Sequence, residues 1–271
     1  MSAEFEKNRS MIFNPLIVVA SELGIGRTMA KARSDAERQS SLVRAYRRVT
    51  SSELGSVIVD SVDDGGAAAA AAEGAYTVRT DLGEVDRTHN YRSDSGAERI
   101  AATVNRFDRY YTHDIVIAVP DDMPELQPFY IQALMYALAT TEVGIATLVS
   151  PFENGELENN EIAKVAVDWN PDRIVYPLEG SRVGTLLDIR RDLNALRDKD
   201  CYKLIPIHAW RRAALDRVVR TPPSEREFVE GTDLVRAFEA GIRIDVTLVS
   251  ENMKVLMTPA QLRGETLDMG H

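Results

Sequence analysis

Residues 95–128 read SGAERIAATVNRFDRYYTHDIVIAVPDDMPELQP, and the fold is decided here. After Ser95 and Gly96, the apolar positions Ile100, Val104 and Phe107 recur at helical spacing. Asp114 to Val119 (DIVIAV) is then a continuous apolar run too short for a helix bounded this way, which predicts a buried strand. The strand runs out into Pro120, Asp121, Asp122, Met123 and Pro124. In an open α/β sheet, ligands bind in the crevice outside the carboxyl ends of the strands. A carboxylate in that crevice can hold a divalent cation against substrate phosphates. Asp122 is therefore the first functional candidate, and the plainer reading is that Asp121 and Asp122 cap a turn between two prolines.

Working outward, Leu16 to Ala20 (LIVVA) predicts another strand, running into a loop with Gly24, Gly26, Arg27 and Lys31. A strand followed by such a loop can meet phosphates, because backbone N–H groups and cations converge there. Its glycines match neither a Walker loop nor a full dinucleotide fingerprint, so an ordinary strand-to-helix loop is the competing reading. A helix is expected over 35–50, strands over 57–59 and 76–79, and between them an alanine helix over 67–72. The polar stretch 80–94 is long for a loop inside a domain, as functional or mobile loops are. Downstream come a helix over 128–140, a strand over 143–149 and an acidic loop over 151–160. Residues 162–167 and 173–176 suggest a hairpin around Asn170-Pro171, and a charged helix is expected over 186–198. A strand over 202–208 carries His208, which in that apolar run reads as packed rather than catalytic. Helices are expected over 210–219 and 225–240; the second has Ser224 as N-cap and Glu227 three residues on, a capping-box pattern. A last strand over 243–249 and a short helix from Thr258-Pro259 complete the chain. Alternating strands and helices imply an α/β fold with a mixed, mostly parallel sheet. One domain over 14–265, preceded by a tail over 1–13, fits this pattern.

The bulk numbers narrow the classes. The chain has 271 residues, 44% apolar and 27% charged, as expected of a soluble globular protein. No apolar stretch approaches the ~20 residues of a membrane span, and the start leads into no signal-type run. A single cysteine, Cys201, excludes an intrachain disulfide and a cysteine zinc cluster and suits the cytoplasm. A net charge of −10 argues against a nucleic-acid partner.

Several segments, taken together, are similar to one enzyme family. Ser95-Gly96-Ala97-Glu98-Arg99 resembles its SGTER segment, and Val119 to Pro124 its VQGDEP segment. Val143 to Leu148 resembles its VGMATL strand, and Pro223-Ser224 with Glu227 and Glu230 its PSPLExxE helix start. Gly241 to Val246 and Thr258-Pro259 resemble its last strand and its DTPEDL ending. Over about residues 15–265 the chain thus resembles the 3-deoxy-manno-octulosonate cytidylyltransferase (CMP-Kdo synthetase) family of lipopolysaccharide and capsule assembly. The resemblance implies a three-layer nucleotidyltransferase fold, Rossmann-like and GT-A-like. It implies transfer of CMP from CTP to a keto-sugar acid with release of pyrophosphate, by a cytoplasmic homodimer.

By the same resemblance, Arg27 and Lys31 of the segment 20–31 meet the triphosphate as catalytic cations. Ala20, Ser95, Gly96, Glu98 and Asp122 border the nucleotide, Asp122 holds Mg²⁺, and Glu227 and Glu230 lie near the acceptor sugar. The chain also departs from the family pattern. Glu22 stands where the family has its first loop arginine, and Met257 where it has a second metal aspartate. Glu179 and Leu204 stand where it has a sugar-side arginine and histidine. These departures leave a second reading open, a repurposed relative that keeps the fold as a nucleotide-binding or assembly module. A nucleotide-sugar glycosyltransferase activity would share the fold, but only Asp121-Asp122 speaks for it.

Overall fold

In the computed structural model, the described residues are 14–21, 34–80, 96–123, 126–174, 182–196 and 200–249. The two apolar runs are strands, β1 (Pro15–Ala20) and β4 (Ile115–Pro120), and they pair in parallel from Pro15↔Ile115 to Ala20↔Pro120. Every residue of both is buried. Such strands read as unbroken apolar runs because helices cover both faces of the sheet. Alternate residues feed separate cores. Ile17, Val19, Ile115, Ile117 and Val119 pack with α1 (Asp35–Thr50), α2 (Asp64–Ala72) and α4 (Pro128–Ala137). Leu16, Val18, Ala20, Val116 and Ala118 pack with α3 (Gly96–Phe107), α5 (Arg212–Arg220) and α7 (Leu234–Glu239). Each buried aliphatic side chain is worth about 1.5–3 kcal/mol, so the strands buried on both sides anchor the sheet.

The remaining strands are β2 (Ser56–Ser61), β3 (Tyr76–Arg79), β5 (Ile145–Ser150), β6 (Lys164–Ile174), β7 (Arg182–Arg190), β8 (Cys201–Arg211) and β9 (Ile244–Leu248). The sheet order is β3-β2-β1-β4-β8-β5-β9-β7-β6. The expectation of a mostly parallel sheet holds for the β3-β2-β1-β4 half and for β5–β9. It fails where β8 lies antiparallel between β4 and β5, and where β7 lies antiparallel between β9 and β6. The sheet is therefore mixed.

Further expectations are corrected. The hairpin around Asn170-Pro171 is a single strand, β6, with the register shift against β7 falling between Asn170 and Ile174. The charged helix over 186–198 is instead β7 followed by a short 3-10 turn, Leu193–Leu196. Local charge suggests a solvated helix there, but β7 pairs on both sides, with β6 and β9. That pairing buries Val183, Leu186 and Ile189. Gly184 permits it: a Cβ there would sit 2.5 Å from Val167 Cγ1 and 2.6 Å from the Asp168 carbonyl oxygen. Finally, the helix over 225–240 is two, α6 (Glu225–Glu230) and α7, because Gly231 takes a left-handed conformation (φ 66°) and ends the first.

Trp210, expected to open a helix, ends in β8 opposite Val116 and Ile145. The alanine helix forms as expected, with Asp63 capping it by accepting the Gly66 N–H at 2.6 Å. The helix from Thr258-Pro259 lies outside the described residues. No helix among the described residues is long and apolar enough to cross a membrane.

Candidate functional site

The strands β1, β2 and β4 end level with one another. Ala20 pairs with both Asp60 and Pro120, and the Ser21 N–H donates to the Asp60 carbonyl at 2.9 Å. The exit of β4 is pinned from two sides. The Asp121 N–H donates to the Ala20 carbonyl at 3.0 Å, and Ser41 Oγ of α1 donates to the Asp121 carbonyl at 2.5 Å. Asp121 is buried, whereas Asp122 is partly exposed at the carboxyl edge. Ser21 and Asp122 thus stand at one fixed edge of the sheet.

A buried ion pair holds α3 against this rim. Arg99 Nε donates to Asp60 Oδ2 at 2.7 Å, Nη2 to the Asp60 carbonyl at 3.3 Å, and Nη1 to the Ser21 carbonyl. Asp60 is fully buried, and its Oδ1 has no hydrogen-bond partner among the described residues. Arg99 therefore grips the last described residue before the segment 22–33, whose sequence contains Arg27 and Lys31.

The adjacent residue points elsewhere. Successive helical residues lie on different faces, and Glu98 reaches α7, where Arg236 Nη1 and Nη2 donate to its Oε1 at 2.5 Å and Oε2 at 3.0 Å. Arg236 Nε lies 3.0 Å from Glu227 Oε2, and its Nη1 also donates to the Thr221 carbonyl at 2.9 Å. Arg236 is only 1% exposed. Asp233 joins the group through the Ala97 N–H, which donates to its carboxylate. Burial pushes Glu227 up to about 7 and Asp233 up to about 6, against the pull of Arg236 on both.

The sequence-derived site residues are thus distributed unevenly. Ala20 closes β1, and Gly96 is the first residue of α3. Glu98 and Glu227, assigned to opposite sides of the reaction by resemblance, meet on one guanidinium. Ser224 Oγ accepts the Glu227 N–H at 3.1 Å, so half of the expected capping box forms; the Glu227 carboxylate turns inward to Arg236 instead. Glu230 is buried, accepts the Arg191 N–H at 2.5 Å and lies 3.5 Å from Arg190 Nη1, bracing the end of β7. Leu204 is a core residue of β8. Arg27, Lys31, Ser95, Glu22, Glu179 and Met257 lie outside the described residues. His208 is packed as expected: its Nδ1 is 2.9 Å from Thr147 Oγ1, and desolvation pushes its imidazole down to about 4.

Sequence reading missed Asp60, Arg99, Asp233 and Arg236. Arg99 sits inside the SGAER segment, and its partner Asp60 lies 39 positions away, at no local spacing. Arg236 follows the capping-box pattern by nine positions, at no spacing that pairs it with Glu98. Among the described residues no three His, Cys, Asp or Glu gather into a metal cluster. The donor chemistry still fits Mg²⁺, which is commonly held by one or two carboxylates plus substrate phosphates. Asp122, partly exposed after β4, could supply one hard oxygen ligand of that kind.

The chain is 31% identical to a 3-deoxy-manno-octulosonate cytidylyltransferase of Methylorubrum populi, over 94% of this chain and 96% of that protein. It is 31% identical to the same-named protein of Methylobacterium radiotolerans, over 92% and 94% respectively. No family model matches the chain. Among solved structures, a CMP:2-keto-3-deoxy-manno-octonic acid synthetase complexed with CTP superposes with a TM-score of 0.68 at 22% identity, covering 93% of this chain and 96% of that one. A 4-diphosphocytidyl-2C-methyl-D-erythritol synthase superposes with a TM-score of 0.51 at 10% identity, covering 93% and 96%. These two likenesses concern the fold alone. On the identity and coverage of its relatives, the chain belongs to the 3-deoxy-manno-octulosonate cytidylyltransferase family.

Proposed function

We propose that this protein transfers CMP from CTP to 3-deoxy-manno-octulosonate. The observation that carries the reading is 31% identity maintained over 94% of the chain to an enzyme so named. In the reaction, the anomeric hydroxyl of the sugar acid attacks the α-phosphorus of CTP. A new O–P bond forms, the bond from the α-phosphorus to the oxygen bridging it to the β-phosphate breaks, pyrophosphate leaves with that electron pair, and the hydroxyl proton is released to solvent. The protein's part is chiefly positioning and neutralising charge. Arg27 and Lys31, in the segment that follows Ser21 in sequence, would meet the triphosphate, with Ala20, Ser95, Gly96 and Glu98 bordering the nucleoside. Asp122 would hold Mg²⁺, which supplies charge neutralisation at the phosphates when bound. Glu227 and Glu230 belong to the acceptor side, and the working form would be a homodimer of a nucleotidyltransferase fold spanning 14–265.

The repurposed-relative reading rests on Glu22, Glu179, Leu204 and Met257. The level strand ends, the gripped Ser21 and the partly exposed Asp122 fit nucleotide binding under either reading, and identity to enzymes named as cytidylyltransferases over more than 90% of the chain favours the enzyme. Incubating the protein with CTP, Mg²⁺ and 3-deoxy-manno-octulosonate should release pyrophosphate. CTP with Mg²⁺ should also raise the melting temperature, and Asp122→Ala should reduce that rise. A nucleotide-induced shift without pyrophosphate release across a panel of keto-sugar acids would refute the enzyme and favour the binding module.

A further inference from the structure

Arg236 is the junction of two parts of the protein that are far apart in sequence. On one side it holds Glu227 of α6; on the other it holds both oxygens of Glu98, in the first turn of α3. The same turn carries Arg99, which grips Ser21 and Asp60 at the rim. Two sets of contacts therefore meet in the first turn of α3: Glu227 and Arg236 reach Glu98, and its chain neighbour Arg99 reaches Asp60 and Ser21. A guanidinium is suited to this junction because its planar fork gives one carboxylate two N–H groups while its Nε makes an ion pair with another at 3.0 Å; an ammonium has no such fork. Thr221 at the end of α5 takes a further bond from Arg236 and fixes the fork's plane.

We propose that Arg236 is a positioning residue that ties the placement of Glu227 on the acceptor side to the placement of Glu98 and the first turn of α3 on the nucleotide side. The inference rests on the proposed function, which gives those two sides their roles. A purely structural ion pair would stabilise the fold and leave ligand affinity alone. A positioning residue makes a change at Glu227 felt in the binding of CTP, although Glu227 itself lies on the acceptor side.

The test measures CTP affinity in the presence of Mg²⁺, by equilibrium binding, for wild type, Glu227→Gln, Arg236→Lys and the double variant. Glu227→Gln is nearly isosteric and leaves Arg236 in place, so it remains informative if Arg236→Lys fails to fold. Glu227→Gln is expected to weaken CTP binding roughly three- to tenfold, the scale on which groups sharing a partner couple. Arg236→Lys should weaken CTP binding as well and raise the KM for the sugar acid, with kcat changed less than either. In the double variant the effect of Glu227→Gln should largely disappear. CTP affinity within twofold of wild type in Glu227→Gln, or in a folded Arg236→Lys, overturns the inference while leaving the proposed function standing. A wild-type protein that binds no CTP overturns both.

Discussion

Replacing Arg99 by methionine tests whether the rim of the site is held by one buried ion pair. Methionine keeps much of the volume and removes the charge. The substitution deletes the bonds to Asp60 Oδ2 at 2.7 Å, to the Asp60 carbonyl at 3.3 Å and to the Ser21 carbonyl. What remains is a carboxylate at 0% exposure with neither oxygen hydrogen-bonded to a described residue. Removing one partner of a buried pair costs about 3–5 kcal/mol, chiefly because the other charge is stranded. For a protein whose total stability is about 5–15 kcal/mol, that is a large share. With a urea m-value near 3 kcal/mol/M, the unfolding midpoint should fall by about 1–1.7 M.

Two controls sharpen the test. A stranded carboxylate can take up a proton, and that escape costs about 1.4 kcal/mol per pH unit above the ordinary aspartate range; the deficit should therefore shrink as pH is lowered toward 5. The double variant Asp60→Leu with Arg99→Met removes both charges and should recover most of the loss, since a buried pair replaced by apolar residues is often neutral. A deficit below about 1 kcal/mol at pH 7 would refute the reasoning, given the ~3–5 kcal/mol scale of a broken buried pair. So would a double variant no more stable than the single one.

Stability should also respond to pH through two sets of carboxylates of opposite sign. Burial raises Glu227 to about 7 and Asp233 to about 6, so the folded state keeps protons that the unfolded chain releases earlier. Their contribution is full at acidic pH and is lost as pH rises through 6 and 7; Glu227→Gln should flatten that part of a melting-temperature profile, and an unchanged slope would contradict it. Asp108 behaves in reverse: burial opposes its charge, but hydrogen bonds from Thr112 and His113 bring it down to about 2. Its stabilising contribution is present at neutral pH and lost as pH falls toward 2, so Asp108→Asn should lower the melting temperature at pH 7 more than at pH 3. Gly184→Ala should cost about 1–3 kcal/mol by overpacking, because its Cβ would meet Val167 and the Asp168 carbonyl. CTP affinity should hardly change; a loss of binding without a loss of stability would tell against this placement of β7.

The strands that make the rim were legible because they are buried on both faces. Leu16–Ala20 and Ile115–Val119 are apolar at consecutive positions, a local pattern that needs no partner to be read. β7 was not legible. Its sequence mixes Leu186, Leu187 and Ile189 with Asp188 and Arg190, and only pairing with β6 and β9 decides that it is extended. The charged residues were satisfied by partners sequence cannot supply, as Asp188 by Arg226 of α6. The break at Gly231 was legible in principle, since glycine after Glu230 is a common helix stop. At the site, local spacing found Ser224 and Glu227 but implied that Glu227 would return to its own helix end. Its carboxylate instead meets a guanidinium nine residues on, because α7 turns back after Gly231.

Charge at the site follows from the same arrangement. Glu98, Glu227 and Asp233 surround one guanidinium, so with every group ionised the cluster carries two uncompensated negative charges. Two unit charges 10 Å apart in an environment of effective dielectric near 20 interact by about 1.7 kcal/mol, so such a cluster would oppose a polyphosphate bound at the same edge. The upward shift of Glu227 and Asp233 relieves this, because protons retained there cancel part of the excess near neutral pH. Arg99 does not help, since its charge is already committed to Asp60. Neutralising the triphosphate is then left to groups that can face it, which under the proposed function are Arg27, Lys31 and a cation on Asp122. In a chain of net charge −10, local cations must carry that work against the overall field. The buried arginines set where those groups start from and add little positive potential of their own.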